Sequence, residues 1–578
     1  MGKSKIPQRI RERFRFSTLS FLFIIAYVNL FPRILGQENS IVAVIFTILM
    51  SASMVRDLTA TPIRHLLLQS LVLVWMAFAA YWVTVLPALP SFLVDFSTLL
   101  VILYAFTYEY STHMYFPYIL SYLFLVFISP VNAAQLPGRM TAMVAGAVSI
   151  LLYQWVMGRN RMVETARDVL SEMIDLVDAY IAGKLSQTEA QPDFAAVHEK
   201  LCTLSKLVYD RRKRVLCVSE AGFSVVDAGR GLEHLLFLAH ELPPRPSPRE
   251  QDLLRQTAVQ LQAFRAFLHQ ERELPALDPR DFFSREEAAG EPFYKMLVYI
   301  RDRMVHMTAP QSRTHGRPTA QSLKLRLFAA MDLSPMRAAY AVRVALLLSC
   351  ATLLVQTLAL PHGKWLLFTL ASVSMPYADD VPAKMKKRIA ATVAGGLLSV
   401  VIYSLIASPA GRTAAMMLSG YLSFYFTDYT ETFICSTIGA MGGAVFMTAF
   451  GLPAVGGVFL IRLGYILAGA AIAYVANCVV FPFQRAMATR LLWKKYRSVT
   501  ELLARVSHAD HLDAQLYYNL VIQAHLQESK LIQNAHLEQW EEFPELLKKC
   551  REQVRSAHRT LIAERVDAPV FETEHLPT

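Results

Sequence analysis

Charge is scarce in this chain. Only 18% of its 578 residues are Asp, Glu, Lys or Arg, and 54% are hydrophobic, whereas soluble proteins carry about 25% charged residues. That scarcity, with a mean hydropathy of +0.33, points to a membrane protein with sizeable polar parts. Cysteine is scattered at positions 202, 217, 350, 435, 478 and 550. There is no CxxC pair and no His partner at zinc spacing, so neither a disulfide framework nor a zinc site is expected. Phosphate-cradling glycine loops and nucleophile–His arrangements are also missing, which leaves ATP-driven pumping and hydrolysis unsupported. The expectation is a protein that is not an enzyme and uses no cofactor or metal. No aromatic-plus-basic nucleic-acid motif accompanies the net charge of +11, and membrane proteins gather such charge at cytoplasmic helix ends.

What is present is a series of apolar runs. A span needs about 20 mainly apolar residues, within a range of about 17 to 25. The first half offers runs at 17–35, 40–55, 63–86, 92–108, 114–130 and 138–157, the second at 339–360, 364–378, 388–407, 412–427, 432–450 and 456–481. A basic N-terminus (Lys3, Lys5, Arg9, Arg11, Arg13, Arg15) leads into the first run, which has no small-residue cleavage site before Pro32. It reads as a retained span, not a cleaved signal.

The two halves share a pattern. SIVAVIFTILMSASMVRDLTATPIRHLLLQSLVLV (40–74) and KWLLFTLASVSMPYADDVPAKMKKRIAATVAGG (364–396) both carry Phe-Thr, then Ser-Met, then an Asp and an Arg. This predicts an internal duplication of six spans, and an even number gives both copies the same orientation. With the N-terminus inside, the inner loops hold Arg56, Arg64, Lys384, Lys386, Lys387 and Arg388, while the outer ones hold little beyond Arg33, Lys364 and Arg412. That is a positive-inside pattern. The expected architecture is all-α and polytopic: a first transmembrane repeat (1–157), a cytoplasmic helical domain (158–335), a second repeat (336–482) and a C-terminal cytoplasmic helical domain (483–578). Cytoplasmic helices are expected near 162–181, 192–212, 218–240, 247–272, 291–308, 510–534 and 535–565, with a disordered tail after Asp567.

Ionisable groups inside spans are costly, so each invites a functional reading. Arg139 opens the sixth span, and Arg462 lies several residues into the twelfth, at a matching place. A guanidinium facing a lumen holds a carboxylate bidentately; the alternative is that each snorkels outward or pairs with an acid such as Asp95. Arg343, early in the seventh span, reads first as a snorkelling anchor and second as an anion ligand. FTYEYSTHMYFPY (106–118) and YFTDYTETF (425–433) set carboxylates among rings. Tyr108, Tyr425 and Tyr429 become substrate contacts, and Glu109, His113, Asp428 and Glu431 join Asp95 as candidate proton acceptors. The competing reading is an interfacial aromatic belt. The same two readings cover Asp57, Asp379 and Asp380, whose bland alternative is capping helices beside Arg64 and Arg388. Gly395, Gly396, Gly439, Gly443, Gly464 and Gly469 are expected to let helices pack closely.

Three stretches carry a family resemblance: SPMRAAYAVRVALLL (334–348), KWLLFTLASVSMPYADD with KKRIAATVAGG (364–396), and RLGYILAGAAIAYVANCVVFPF (462–483). The chain resembles the fusaric-acid-resistance and aromatic-acid-exporter family of bacterial inner-membrane proteins, to which the plant aluminium-activated malate channels are distantly similar. The first copy departs from the pattern, lacking the Trp that starts the second span and the paired glycines of the third. The resemblance implies proton-driven export of small organic, often aromatic, acids from the bacterial cytoplasmic membrane, and the loop charges put both termini on the cytoplasmic side. It leaves room for a periplasmic adaptor and for a homo-oligomer. A passive organic-anion channel and a non-transporting scaffold with partner-binding helices remain the alternatives.

Overall fold

The structure is a computed structural model, and it describes residues 5–53, 62–110, 113–158, 161–187, 191–211, 220–274, 276–282, 290–308, 334–445, 452–507 and 514–566. Asp57, the 309–321 connection and the tail after Asp567 lie outside the described residues. Every regular element described is helical. The chain divides into two compact units: residues 1–55, 62–154 and 333–488 form one, and residues 56–61, 155–332 and 489–578 the other.

The first unit holds six described helices from each half. They are α1 (Lys5–Leu35), α2 (Ser40–Ser53), α3 (Pro62–Val85), α4 (Ala88–Phe106), α5 (Tyr115–Phe127) and α6 (Leu136–Gly158), then α12 (Pro335–Thr357), α13 (Lys364–Val373), α14 (Val381–Leu405), α15 (Pro409–Leu422), α16 (Tyr429–Val445) and α17 (Leu452–Tyr474). Among the described residues, seven helical stretches are long and apolar enough to cross a membrane: Ser17–Leu35, Pro62–Val85, Ala88–Phe106, Leu136–Val156, Pro335–Thr357, Ala378–Leu405 and Pro453–Val480. This is a multi-pass membrane protein. Of the other five, α5, α13 and α15 are shorter than the spans expected from the apolar runs, while α2 and α16 are described only as far as Ser53 and Val445. At 1.5 Å per residue, ten-residue α13 covers only about 15 Å of a core about 30 Å thick.

The short helices are sheltered instead. Trp365, Leu366, Leu367 and Leu370 of α13 are all buried. Where α13 stops, the backbone carbonyls need partners that a bilayer does not supply, so irregular backbone survives only inside protein or beside a cavity. Arg343 provides them, donating to the carbonyls of Met375 (2.6 Å), Pro376 (3.1 Å) and Phe481 (3.0 Å), while Tyr340 Oη donates to that of Ser374 (3.2 Å). Asp379 and Asp380 do not cap α14 with their side chains. They hold the next basic helix: Asp379 accepts from the backbone N–H of Arg485 (2.6 Å), and Asp380 pairs with its guanidinium.

The halves repeat several contacts. Second and sixth helices meet at a glycine in each, Gly146 against the Phe46 ring and Gly469 against Thr369. An amide 15 residues beyond Arg139 and another 15 beyond Arg462 then reach matching serines: Gln154 Nε2 donates to the Ser53 carbonyl (2.9 Å) and Asn477 Nδ2 to Ser374 Oγ (3.1 Å). The first helix of each half also packs on the fourth of the other, α12 along α4 and α1 against α15.

The expected glycine packing holds at some positions only. A Cβ on Gly395 would lie 2.8 Å from the Ile434 carbonyl oxygen, and one on Gly396 would strike the Phe459 ring, whereas Gly443 and Gly464 have nothing within 4 Å. Backbone cannot yield as a side chain can. Gly395→Val should therefore lower the thermal stability of the detergent-purified protein, by about 1–3 kcal/mol, and Gly464→Ala should leave it unchanged or slightly raised.

The second unit is a helical assembly of α7 (Arg161–Leu185), α8 (Phe194–Arg211), α9 (Glu220–Glu241), α10 (Pro248–Leu268), α11 (Glu291–Thr308), most of α18 (Arg485–Ser507), α19 (Ala514–Glu538) and α20 (Phe543–Val566). The Pro-rich break at 242–249 ends in a capping box, Ser247 and Glu250 satisfying each other's backbone N–H at the start of α10. Segments more than 300 residues apart in sequence join through buried charge. His198 bridges Glu233 (2.8 Å) and Glu528 (2.9 Å), Arg551 Nε donates to Glu528 (2.6 Å), and Ser205 bonds His525 (2.7 Å).

This cluster makes stability depend on pH. Burial opposes ionisation of Glu233 and Glu528, but the His198 charge outweighs it, helped by arginines, and holds both down to about 2. Burial, then the positive charge of His198, pushes His525 down to about 3. Unfolding frees His525 to take a proton below its ordinary 6.5, and frees the glutamates to take theirs below 4.5. Both effects favour the unfolded state as pH falls. His198, raised well above 6.5, contributes fully below that value and loses its contribution as pH rises through its folded value. Hydrogen exchange on the full chain should show protection of α8 and α19 falling steadily between pH 6.5 and 3, with His525→Gln flattening the upper part of that fall.

Candidate functional site

The two matched arginines meet different fates. Arg139 is consumed by structure: its guanidinium donates to the Glu38 carbonyl (2.8 Å), the Ser129 carbonyl (3.2 Å) and Ser129 Oγ (2.9 Å), tying together two connections at one end of the first half. Arg462 sits on α17 with 5% exposure, yet its Nε and Nη1 have no hydrogen-bond partner. Its guanidinium carbon lies 5.2 Å from the Trp365 ring centre, and Trp365 in turn stacks on His362 at 4.8 Å. In the first half the position matching Trp365 is Ala43, so no such ring is present.

A second buried cation stands close by. Arg388 of α14 acts on Arg462 as a repelling like charge. It lies 4.4 Å from the Phe433 ring centre and beside the Tyr429 hydroxyl. One helical turn earlier, Lys384 Nζ lies 3.4 Å over the Tyr429 ring, the i, i+4 spacing that puts both cations on one helix face. Lys387 pairs with exposed Asp428 at 3.0 Å. The second half thus carries Lys384, Arg388 and Arg462 in company with Tyr429, Phe433 and Trp365. No carboxylate pairs with Arg388 or Arg462 among the described residues. Buried charge left uncompensated is expensive, and a bound anion would relieve it.

The remaining candidates are dispersed. Arg343 clasps carbonyls, as described. Tyr425 bonds Tyr421 (2.6 Å), which bonds Thr18 (2.9 Å), so it faces α1 and not Arg462. Tyr108, Glu109 and His113 lie between α4 and α5, with His113 5.6 Å from the Tyr115 ring. Glu431 is exposed on the first turn of α16. Asp95 is buried in α4 with both oxygens unpartnered. In the sequence, Arg388 and Lys384 read as topology signals. The signal that could have raised them was the excess of base in KMKKR over what orientation requires, with two of those bases one turn apart.

No curated protein and no solved structure matches the chain. Residues 349–476, the stretch holding Trp365, Lys384, Arg388, Tyr429, Phe433 and Arg462, match the family model described as fusaric acid resistance protein-like.

Proposed function

We propose that this protein is a secondary transporter that exports small organic anions, aromatic carboxylates foremost. The observation that carries the reading is Arg462, a buried cation without a counter-ion, set against Trp365 and near a second cation, Arg388. A guanidinium offers paired N–H donors matched to a carboxylate, and indole and phenyl faces suit a planar ring at offset or edge geometry. Lys384 and Arg388 provide the approach from the cytoplasmic side, and Arg462 holds the anion deeper. No bond in the cargo is broken, so the chemistry required is binding, orientation and release.

The repeated glycine and amide contacts support two parallel six-helix repeats, and the interface between such repeats is where a path forms in related architectures. The loop bases support an orientation in the bacterial inner membrane with both termini cytoplasmic. The unpaired cations would equally line a passive anion channel, because an inside-negative potential expels anions by about 2.3 kcal/mol per charge per 100 mV. A growth-inhibition panel of aromatic and aliphatic acids, in cells with and without the protein, tests the reading. Protection should be greatest for aromatic monocarboxylates and lost in Arg462→Ala. Equal sensitivity of both cell types across the panel would contradict it.

A further inference from the structure

Asp95 is a buried acid of the first unit that no cation pairs with among the described residues. It is 2% exposed in α4, and neither carboxylate oxygen has a hydrogen-bond partner. The polar groups around it are hydroxyls: Tyr122 from α5, and Ser349 and Thr352 from α12. All three hydroxyl oxygens are themselves buried without a partner. Thr98, one turn on, takes the Trp75 indole N–H from α3 (3.2 Å) and completes the polar surroundings. None of the groups that α3, α5 and α12 bring to Asp95 is a cation. Arg337 of α12 is engaged by the Tyr104 carbonyl (3.2 Å), and Arg343 by the carbonyls it clasps.

A carboxylate in such surroundings is costly as an anion, yet a ring of hydroxyls suits both of its forms. Hydroxyls donate to a carboxylate and accept from a carboxylic acid. Asp95 also lies on the seam where α4 and α5 of the first half meet α12 of the second. A change of charge there acts on how the halves pack, which is where parallel-repeat transporters move.

We propose that Asp95 is the proton-loading site that couples export to the proton gradient. The carboxylate takes one proton from the outer side to become a neutral carboxylic acid, and the same O–H bond breaks when the proton leaves on the inner side. This rests on the export reading above.

Two experiments decide it. In the first, proteoliposomes loaded with labelled benzoate are placed in an acidic exterior, with protein-free liposomes as the baseline. Such a gradient drives neutral benzoic acid inward, so protein-dependent efflux against it is unambiguous. The wild type should show gradient-stimulated efflux. Asp95→Asn should lose the stimulation and keep benzoate–benzoate exchange, and Asp95→Glu should restore it with a displaced pH profile. Stimulation surviving in Asp95→Asn overturns the proposal. So does loss of exchange in both variants, which would make Asp95 a structural group. Absence of any wild-type benzoate movement counts against the export reading instead. The second experiment needs no cargo: infrared titration of the purified full chain should show a carboxyl band that titrates in wild type and is missing in Asp95→Asn. No such band overturns the proposal.

Discussion

Arg462→Ala weakens benzoate binding to the purified protein by about 10- to 100-fold, read by titration calorimetry. The size follows from the contact removed. A hydrogen bond to a charged group contributes about 1.5–3 kcal/mol, and each 1.4 kcal/mol is tenfold in affinity. Arg462→Lys should recover only part of the loss, because an ammonium presents a point charge in place of a planar fork. The fold should tolerate the change, since Nε and Nη1 of Arg462 serve no other residue. Arg139→Ala gives the opposite profile despite its matching position. Three hydrogen bonds to the Glu38 and Ser129 connections disappear, so stability falls.

Arg343→Ala has the largest expected effect on stability. Its guanidinium serves the carbonyls of Met375, Pro376 and Phe481, and a buried acceptor left unsatisfied costs about 1–3 kcal/mol. Losing all three at once should cost upward of about 3 kcal/mol and lower the thermal midpoint by several degrees, measured on the detergent-purified protein. Arg343→Lys should rescue little, since one ammonium does not reach three divergent carbonyls in the same geometry. Where the variant stays folded, its benzoate affinity should match wild type. Arg343 and Arg462 therefore separate a cation that builds the fold from one that serves the cargo.

The helices of both units were legible because their signals are local. Apolar runs, prolines at ends and the bases beside them mark α3, α4, α6, α12, α14 and α17 in the sequence. Helices α5, α13 and α15 end before their apolar runs do. The apolar run from Trp365 continues past Val373 to Met375, where Pro376 disfavours further helix and the clasp by Arg343 satisfies the carbonyls left at the break. Burial in protein satisfies the same apolar pattern as burial in lipid, so hydropathy does not separate the two.

The candidate site was half legible. Arg462 and Tyr429 stood out as a charge and a ring in an apolar context. Phe433 shares a helix with Tyr429, while Trp365, Lys384 and Arg388 come from two other helices that composition does not join to them. Asp95 stood out as a buried acid, but Ser349 and Thr352, more than 250 residues away, are what give it a polar shell. The His198, Glu233 and Glu528 cluster was invisible for the same reason.

Benzoate efflux from proteoliposomes of the full chain, compared with protein-free liposomes, tests the central claim most directly. The account predicts saturable efflux above the lipid leak in wild type, falling to that leak in Arg462→Ala and persisting in Gly464→Ala. Wild-type efflux no faster than the leak, or an Arg462→Ala rate equal to wild type, would contradict it.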